Sequence, residues 1–309
     1  MSQQGTDASA SAAVTASEET PSGVPSTGSR GGRAHPPRRR TGAVPLLLGG
    51  IALWAFLGLV PVHLLKNPVL LSTWIVVGAA VVPAVLLWVM AHRLRAGDTL
   101  TPGRLVVIAV IGGSLAVALG GTLDSLVGLI PQPHPFGDQG LVSLALAGFV
   151  EEFAKGVLIV ATGWSVAKTT RNGLFVGGAV GLGFAVLETI GYISDHYSGD
   201  HPLAASAVVA VLRGATAPFG HVLWSALLGA ALFYAARRTG RFRLSGVVLG
   251  AYVGVAVLHG LWDSSQGIVE ALTDSAVLGG LTALVGCIVV VLVGGSVWRR
   301  IARATMPAD

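Results

Sequence analysis

The sequence predicts an all-α, polytopic membrane helix bundle with about eight transmembrane helices. Of the 309 residues, 52% are hydrophobic and 11% are charged, and the mean hydropathy is +0.72, whereas a soluble domain carries about 25% charged residues. The apolar residues form long runs, and a run of about 20 residues crosses the hydrocarbon core as a helix. The sole cysteine, Cys287, has no second cysteine for a disulfide, and we interpret it as a packing residue.

The first 42 residues differ from the rest in composition. They are rich in Ser, Ala, Gly, Thr and Pro and end in the basic cluster RGGRAHPPRRR. This composition cannot bury enough apolar surface to fold alone, so residues 1–42 are predicted to be a disordered cytoplasmic tail. The first apolar run begins only near residue 44 and is long enough to span, so we interpret it as a retained anchor and not as a signal peptide. Residues 43–303 are then one transmembrane domain, and residues 304–309 are a short cytoplasmic tail.

Eight apolar runs follow the tail, each close to or above the length that a membrane helix needs. They lie at about residues 44–65, 69–91, 104–121, 141–166, 173–193, 203–236, 244–263 and 275–298. The sixth run is longer than one span requires and contains Pro218, which predicts a kinked or peripheral portion before the proline. Splitting this run would place the basic segment RRTGRFR outside, so we keep it as one span.

The basic residues predict the orientation. All but three of the 20 Lys and Arg lie in the N-terminal tail, in the C-terminal segment or in connections on the same side of the membrane; the exceptions are Lys66, Lys155 and Arg213. The opposite connections PQPHPFGDQG, SDHYSGDHP and DSSQGIVEALTDS contain no Lys or Arg. Because basic residues are retained on the cytoplasmic side, both termini are predicted to be cytoplasmic. The net charge of +5 therefore reflects membrane orientation, and no nucleic-acid partner is expected.

Several polar side chains interrupt the apolar runs. Each charged group at the centre of a membrane helix costs about 3 kcal/mol on insertion scales, so four unpaired groups would offset the stability of an ordinary domain. Counted from the cytoplasmic ends, the glutamates and histidines lie about 14 to 15 residues deep, roughly 22 Å at the helical rise per residue. We therefore expect four helices to bring them together. The polar residues are Glu151, Glu152 and Lys155 in the fourth run, Glu188 in the fifth, His221 in the sixth, and His259 and Asp263 in the seventh.

The spacing within each run predicts how these groups pair. Glu151 and Glu152 diverge by about 100° on a helix, whereas Lys155 is within reach of either, so one glutamate is neutralised and the other is free for chemistry. His259 and Asp263 lie one turn apart, and the carboxylate can orient the imidazole or accept its proton. Three glycines share the face of the fifth run that carries its glutamate and predict close helix packing: Gly173, Gly177 and Gly181.

The ordered motifs resemble those of the PrsW family of bacterial intramembrane proteases. EEFAK, FAVLE, a lone histidine in GHVLWSALLG and then HGLWD occur in this order on four successive runs, within about residues 141–263. That family is similar to the CAAX-prenyl endopeptidase and bacteriocin-protection superfamily, which has EExxxR, FxxxH and HxxxN-type motifs. The resemblance implies an endopeptidase of the bacterial cytoplasmic membrane, surrounded by membrane lipids, that cleaves a single-pass membrane protein such as an anti-sigma factor.

The resemblance also implies roles for the residues of the first motif. Glu151 matches the glutamate that is expected to activate water. Glu152 and Lys155 match its structural partner pair. These three residues are the candidate catalytic group.

The later motifs imply metal ligands. Glu188, His221 and His259 match positions that are expected to bind a metal or to polarise the scissile carbonyl. Asp263 stands where the wider superfamily often has Asn, and a carboxylate there fits orientation of His259 better than donation to an oxyanion. Imidazole and carboxylate ligands suit Zn²⁺. A metal-free site, with a glutamate as base and the histidines stabilising the oxyanion, is the open alternative.

Two other classes of function are also open. Buried Glu, His and Lys mark ion pathways in proton-coupled transporters, although the sequence shows no clear internal repeat and no symmetric pair of interrupted helices. A non-catalytic membrane scaffold would use the polar site for stability alone. Five other charged residues are expected to have no role in the site. Arg213 is expected at lipid headgroups, and Asp124, Asp138, Asp195 and Asp200 are expected to be solvated loop charges.

Overall fold

The fold was analysed in a computed structural model of the full chain. The structure describes residues 42–92, 94, 100–130, 135–136, 139–197, 202–289, 292–293 and 295–304. The chain divides into two units, Met1–Arg40 and Thr41–Asp309. The first unit lies outside the described residues. Of the predicted N-terminal tail only its last residue is described, and of the predicted C-terminal tail only Ala304 is described.

The described part of the second unit is helical, apart from one short strand pair, which confirms the predicted all-α class. Strands β1 (Pro135–Phe136) and β2 (Gln139–Gly140) pair antiparallel. The helices are α1 (Ala43–Leu64), α2 (Pro68–His92), α3 (Pro102–Val127), α4 (Leu141–Thr162), α5 (Thr170–His196), α6 (Pro202–Ala236), α7 (Gly246–Thr273), α8 (Ala276–Val289) and α9 (Gly295–Ala304).

Six of these helices are long and apolar enough to cross a membrane, namely α1, α2, α3, α5, α6 and α7. The protein is therefore a multi-pass membrane protein. Helix α4 has 22 residues but contains three charged side chains, and α8 has 14 residues. These two helices account for the difference between the six candidate spans and the eight predicted runs.

The sixth apolar run forms one continuous helix through Pro218. The portion of α6 before the proline is packed against α5, because Ser206 is buried and donates a hydrogen bond to the carbonyl oxygen of Ile193 (3.1 Å). The kinked or peripheral portion predicted before Pro218 stays a prediction. Thirty-five helical residues reach about 52 Å at the α-helical rise, so α6 extends beyond the hydrocarbon core.

Helix α5 is the most enclosed of the candidate spans. In the most apolar stretch of 18 residues, 72% of the residues of α5 are buried, against 6% of those of α1. Helix α5 packs against α2, α3, α4 and α6. The apolar faces of a membrane helix are covered by lipid or by other helices, and for α5 the cover is mostly other helices. The central position of α5 places Glu188 inside the bundle.

The glycine ridge predicted on α5 is confirmed as a close helix contact. Its glycines face the backbone of α6, where a hydrogen atom fits and a methyl group does not. An added Cβ at Gly173 would overlap the carbonyl oxygen of Gly229. At Gly177 it would overlap that of Ser225, and at Gly181 that of His221. The ridge therefore brings the backbone of α6 at His221 against α5.

A second glycine contact joins α4 to α7 and was missed by the sequence analysis. An added Cβ at Gly148 would overlap the backbone of Ala256 and Gly260, and one at Gly260 would overlap the carbonyl oxygen of Ala145. Both glycines lie within one turn of a polar site residue, so their close packing brings the glutamates of α4 against the histidine of α7.

The connection between α4 and α5 is closed by Lys168. Its ammonium donates to the carbonyl oxygens of Gly163, Trp164 and Val166 at 2.7–3.0 Å, which supplies partners that the end of a helix lacks. Partial burial and the nearby Arg104 lower the pKa of Lys168. This basic residue therefore stabilises the helix end in addition to its expected role in orientation.

Candidate active site

The polar side chains of α4 meet at the ammonium of Lys155. Its Nζ donates to Glu151 Oε2 (3.0 Å) and Glu152 Oε1 (2.9 Å) and lies 3.0 Å from His221 Nδ1. An ammonium group has three protons and no lone pair, so these contacts use all three, and His221 Nδ1 acts as an acceptor. Lys155 and Glu152 are fully buried, and Glu151 is 7% exposed.

The structure differs here from the expected pairing of Lys155 with only one of the two glutamates. One glutamate was expected to be free of Lys155, but both are in contact with it. The physical reason is that the i+3 and i+4 positions flank the same lysine, whose long side chain reaches a point between them. The two glutamates differ instead in what else they contact.

His259 is held on α7 by a carboxylate of α4. Its Nδ1 lies 3.1 Å from Glu152 Oε1, and since a carboxylate only accepts, Nδ1 carries the proton in this contact. His259 Nε2 is buried without a hydrogen-bond partner among the described residues, 3.6 Å from Glu151 Oε2 and 3.3 Å from Asp263 Oδ2. Asp263 therefore lies on the Nε2 side of the ring, and the carboxylate that holds Nδ1 is Glu152.

His221 contacts a carboxylate on α5. Its Nε2 lies 2.8 Å from Glu188 Oε2, and the same oxygen is 2.7 Å from Arg213 Nη2. The expectation that Arg213 lies at lipid headgroups is wrong. Arg213 reaches across the close α5–α6 contact to Glu188, a tertiary contact that sequence spacing cannot reveal.

Three of the predicted residues form a compact group of possible metal ligands. Glu151, His221 and His259 are buried, and one ligand atom of each lies within 4.8 Å of the others. A tetrahedral zinc site with bonds of about 2.0 Å keeps ligand atoms about 3.3 Å apart, close to the 3.6 Å between Glu151 Oε2 and His259 Nε2. Two imidazoles, one carboxylate and a buried lone pair without a donor fit a zinc ion.

Glu188 is not a member of this group, although the resemblance implied a metal or electrophilic role for it. The group contains Glu151 in its place. In addition, both ring nitrogens of His221 are in use, since Nδ1 faces Lys155 and Nε2 faces Glu188. Binding of an ion by His221 therefore requires one of these two contacts to open.

The charges around the site leave a negative excess. With the histidines neutral and the acids ionised, four carboxylates face two cations, so two negative charges have no partner. Buried charges are stable when paired or when they coordinate a metal. Protonation of two of the acids or a bound divalent cation would remove this excess. The charged residues are Glu151, Glu152, Glu188, Asp263, Lys155 and Arg213.

A cavity of about 650 Å³ adjoins the site and is lined by α3, α4, α5 and α7, with Glu151, Glu188 and Asp263 in its wall. This volume is within the range of ligand-binding cavities. Asp124 and Asp195 also line it; their assignment as loop charges is wrong, because α3 and α5 continue beyond the predicted apolar runs. The other two acids with that assignment, Asp138 and Asp200, lie outside the described residues.

An aromatic side chain also belongs to the site and was missed by the sequence analysis. Trp224 is buried, and its ring stacks on His259 with 4.2 Å between centroids and lies edge-on to His221 at 5.5 Å. Trp224 lies three residues after His221 on α6, and this spacing indicates that the two side chains share a helix face. The indole therefore fills the space beside both imidazoles.

Acid and imidazole groups enclosed by membrane helices, beside a cavity of about 650 Å³, are the groups that a membrane-embedded hydrolase uses. The family of PrsW intramembrane metalloproteases matches residues 101–294, more than half of the 309 residues. The chain belongs to this family, which confirms the resemblance and sets aside the transporter and scaffold alternatives. The match includes α3 and α8, outside the motif region. No curated protein and no solved structure matches the chain.

Proposed function

We propose that this protein is a zinc-dependent intramembrane endopeptidase of a bacterial cytoplasmic membrane and that it cleaves a single-pass membrane protein of the anti-sigma-factor kind. The observation that carries the zinc proposal is the buried lone pair of His259 Nε2 beside Glu151 and the cavity. The family supports protein substrates. The cavity offers room for an unwound segment of such a substrate next to the carboxylates.

In this proposal Glu151, His221 and His259 hold the metal. A bound Zn²⁺ supplies Lewis-acid activation of water and polarisation of the scissile carbonyl. Glu152 holds the Nδ1 proton of His259, so that Nε2 presents its lone pair. Lys155 offsets the charge of both glutamates and withdraws from His221 Nδ1 when that nitrogen binds the ion.

Asp263 is the proposed general base. It lines the cavity with its side chain 20% exposed, and no Lys or Arg of the described residues lies in ion-pair distance of it. The other cavity carboxylate near the histidines, Glu188, is occupied by Arg213. A carboxylate without a cation partner is the better proton acceptor for a water in the cavity. This assignment moves the base role that the resemblance implied for Glu151 to Asp263, and it moves the metal-binding role implied for Glu188 to Glu151.

The membrane topology is part of the proposal. We propose that α4 and α8 also cross the membrane, which gives eight spans with both termini in the cytoplasm. The basic connections support this orientation, and the three charges of α4 are paired or buried, which removes the penalty that makes this helix atypical. Residues 43–303 then form one protease domain between a disordered tail, residues 1–42, and a short tail, residues 304–309.

The first experiment is metal analysis of the purified full chain. Wild type is compared with Glu151→Gln, His221→Ala, His259→Ala and Asp263→Asn, each checked for folding by size exclusion and thermal unfolding. We expect about one zinc per chain in wild type, retained in Asp263→Asn and lost in the other three. New protein termini in host membranes, identified by mass spectrometry, are expected for wild type and absent for Asp263→Asn.

Three other outcomes would change the proposal. Zinc retained in an inactive Glu151→Gln protein would make Glu151 the base, as the resemblance implied. An active preparation without metal would exclude the zinc mechanism and leave a glutamate base with histidines as oxyanion donors. Zinc unaffected by both histidine substitutions would place the metal elsewhere in the protein.

A further inference from the structure

Arg213 is an arginine inside the helix bundle that none of the motifs contains. Its Nη2 lies 2.7 Å from Glu188 Oε2, and its guanidinium carbon lies 3.7 Å from the centre of the Tyr192 ring. Glu188 and Tyr192 are one turn apart on α5 and share a face. Helix α5 therefore holds the guanidinium by a negative charge and by an aromatic face, both of which attract it.

The Glu188 oxygen that contacts Arg213 also contacts His221. Oε2 lies 2.8 Å from His221 Nε2, within ion-pair distance, but neither this contact nor that with Arg213 has the geometry of a hydrogen bond. Two lone pairs at 2.8 Å would repel each other, so Nε2 carries the proton. Nδ1 then has the lone pair and faces Lys155 at 3.0 Å. Glu188 thus selects one of the two tautomers of His221.

The site contains a second series of contacts like that from Arg213 through Glu188 to His221. Lys155 contacts Glu152, and Glu152 contacts His259 Nδ1. In both series a cation fixes a carboxylate, and the carboxylate fixes the N–H of an imidazole from another helix. Outer carboxylates of this kind orient metal-binding histidines and set which nitrogen is free. In the series from Arg213 through Glu188 to His221, Arg213 is the one member outside the recognised motifs.

Packing does not explain why an arginine is needed at this place. The close approach of α5 and α6 is already produced by glycines such as Gly177 and Gly181. Glu188 is 15% exposed and lines the cavity, where water competes for its oxygens. Without the guanidinium, we expect Glu188 to turn toward the cavity, so that His221 Nε2 loses its acceptor.

We propose that Arg213 is a positioning residue of the active site that acts through Glu188. It keeps the Glu188 carboxylate on His221 Nε2–H, so that the Nδ1 lone pair of His221 points to the interior of the site. The inference deepens the proposed function. Only the measurement of metal affinity, one of its two tests, rests on that proposed function. The tautomer of His221 can be read in the absence of any metal.

The test uses the purified full chain with ¹⁵N-labelled histidine, as wild type, Arg213→Met and Arg213→Lys. The ring-nitrogen shifts of His221, assigned by their loss in His221→Gln, are expected to show the Nε2–H tautomer in wild type and a mixture in Arg213→Met. Co²⁺, followed by its visible absorption, is expected to bind Arg213→Met about 10- to 100-fold more weakly. Arg213→Lys restores part of the affinity, since it keeps the charge but loses the stacked fork.

The matched control is Arg237→Met. Arg237 stacks on Tyr234 at 3.5 Å near the end of α6, with no carboxylate of the described residues in ion-pair distance, so both readings are expected to stay at wild-type values. A folded Arg213→Met protein with the wild-type tautomer and Co²⁺ affinity would overturn the proposal. If Arg213→Met does not fold, Arg213→Gln decides by the same two readings. A wild type that binds no Co²⁺ refutes the metal site, and the tautomer still decides on Arg213.

Discussion

Individual residues decide which nitrogen of each histidine is available. A neutral imidazole has one donor and one acceptor nitrogen, and at this site the protein makes the choice. Glu152 contacts the donor nitrogen of His259, and in our proposal Glu188 contacts the donor nitrogen of His221. Both rings are buried, and the low dielectric of the interior strengthens each contact.

Replacement of Glu152 by glutamine tests this arrangement at the residue scale. Glu152→Gln keeps an acceptor oxygen but loses the charge that attracts both Lys155 and the Nδ1 proton of His259. We expect the affinity for Zn²⁺, measured by competition with a chromophoric chelator, to fall about 10- to 100-fold in a protein that still folds.

The matched control is Glu270→Gln, also a glutamate on a membrane helix. Glu270 pairs with the exposed Gln266 on α7 (2.9 Å), outside the site, so its replacement is expected to leave zinc affinity unchanged. Unchanged affinity in a folded Glu152→Gln protein would show that another group, such as Asp263, orients His259.

Pairs of helices hold the site together through glycine contacts. Gly177 and Gly181 set the distance between α5 and α6, and Gly148 and Gly260 set that between α4 and α7. Apolar side chains on membrane helices gain little from leaving lipid, so association relies on close van der Waals packing and polar contacts. The two contacts carry one imidazole each, which makes the geometry of the site depend on interhelical distance.

Gly177→Ala tests the α5–α6 contact at the scale of the element. The added methyl group would overlap the Ser225 carbonyl oxygen, so the helices must separate or shift. We expect a loss of about 1–3 kcal/mol in stability, typical of overpacking, and a loss of zinc affinity because Glu188 and His221 move apart. Thermal unfolding in detergent and chelator competition measure the two effects.

Gly254→Ala on α7 is the control for this substitution, because nothing lies within 4 Å of the added Cβ. It is expected to be neutral or to stabilise the helix by up to about 1 kcal/mol. An unfolding midpoint for Gly177→Ala that equals wild type would show that the bundle accommodates the methyl group and that α5–α6 spacing does not limit the site.

The whole molecule combines basic connections, which are predicted to be cytoplasmic, with a cavity whose wall is acidic. The basic side chains lie mostly in connections predicted to be cytoplasmic, whereas the cavity wall of the described residues contains five acids and no Lys or Arg. The orientation of the bundle therefore determines the side of the membrane on which the cavity opens. In the proposed topology this is the outer side.

Single cysteines in a Cys287→Ser background test this topology. A membrane-impermeant maleimide is expected to label Lys66→Cys in intact cells and to label Arg241→Cys and Arg303→Cys only after permeabilisation. The physical basis is the retention of basic segments in the cytoplasm. Labelling of Arg241→Cys from outside would show that α4 does not cross, and labelling of Arg303→Cys alone from outside would show the same for α8.

Much of this protein was predictable from its sequence, for local reasons. The all-α class and the candidate spans follow from the lengths of apolar runs, and the family follows from the order of four motifs. The i+3 and i+4 spacing showed that Lys155 can reach either glutamate, but not that it contacts both. The ridge at Gly177 was equally readable, because helical periodicity alone determines which residues share a face.

Only the tertiary structure decided how these elements combine. It grouped Glu151, and not Glu188, with the two histidines, and it brought Arg213 to Glu188 across the contact between α5 and α6. It also turned Asp124 toward the cavity. The physical reason is that such contacts depend on the relative rotation and separation of packed helices, which arise from side-chain interdigitation across the interface and leave no periodic signal within either helix.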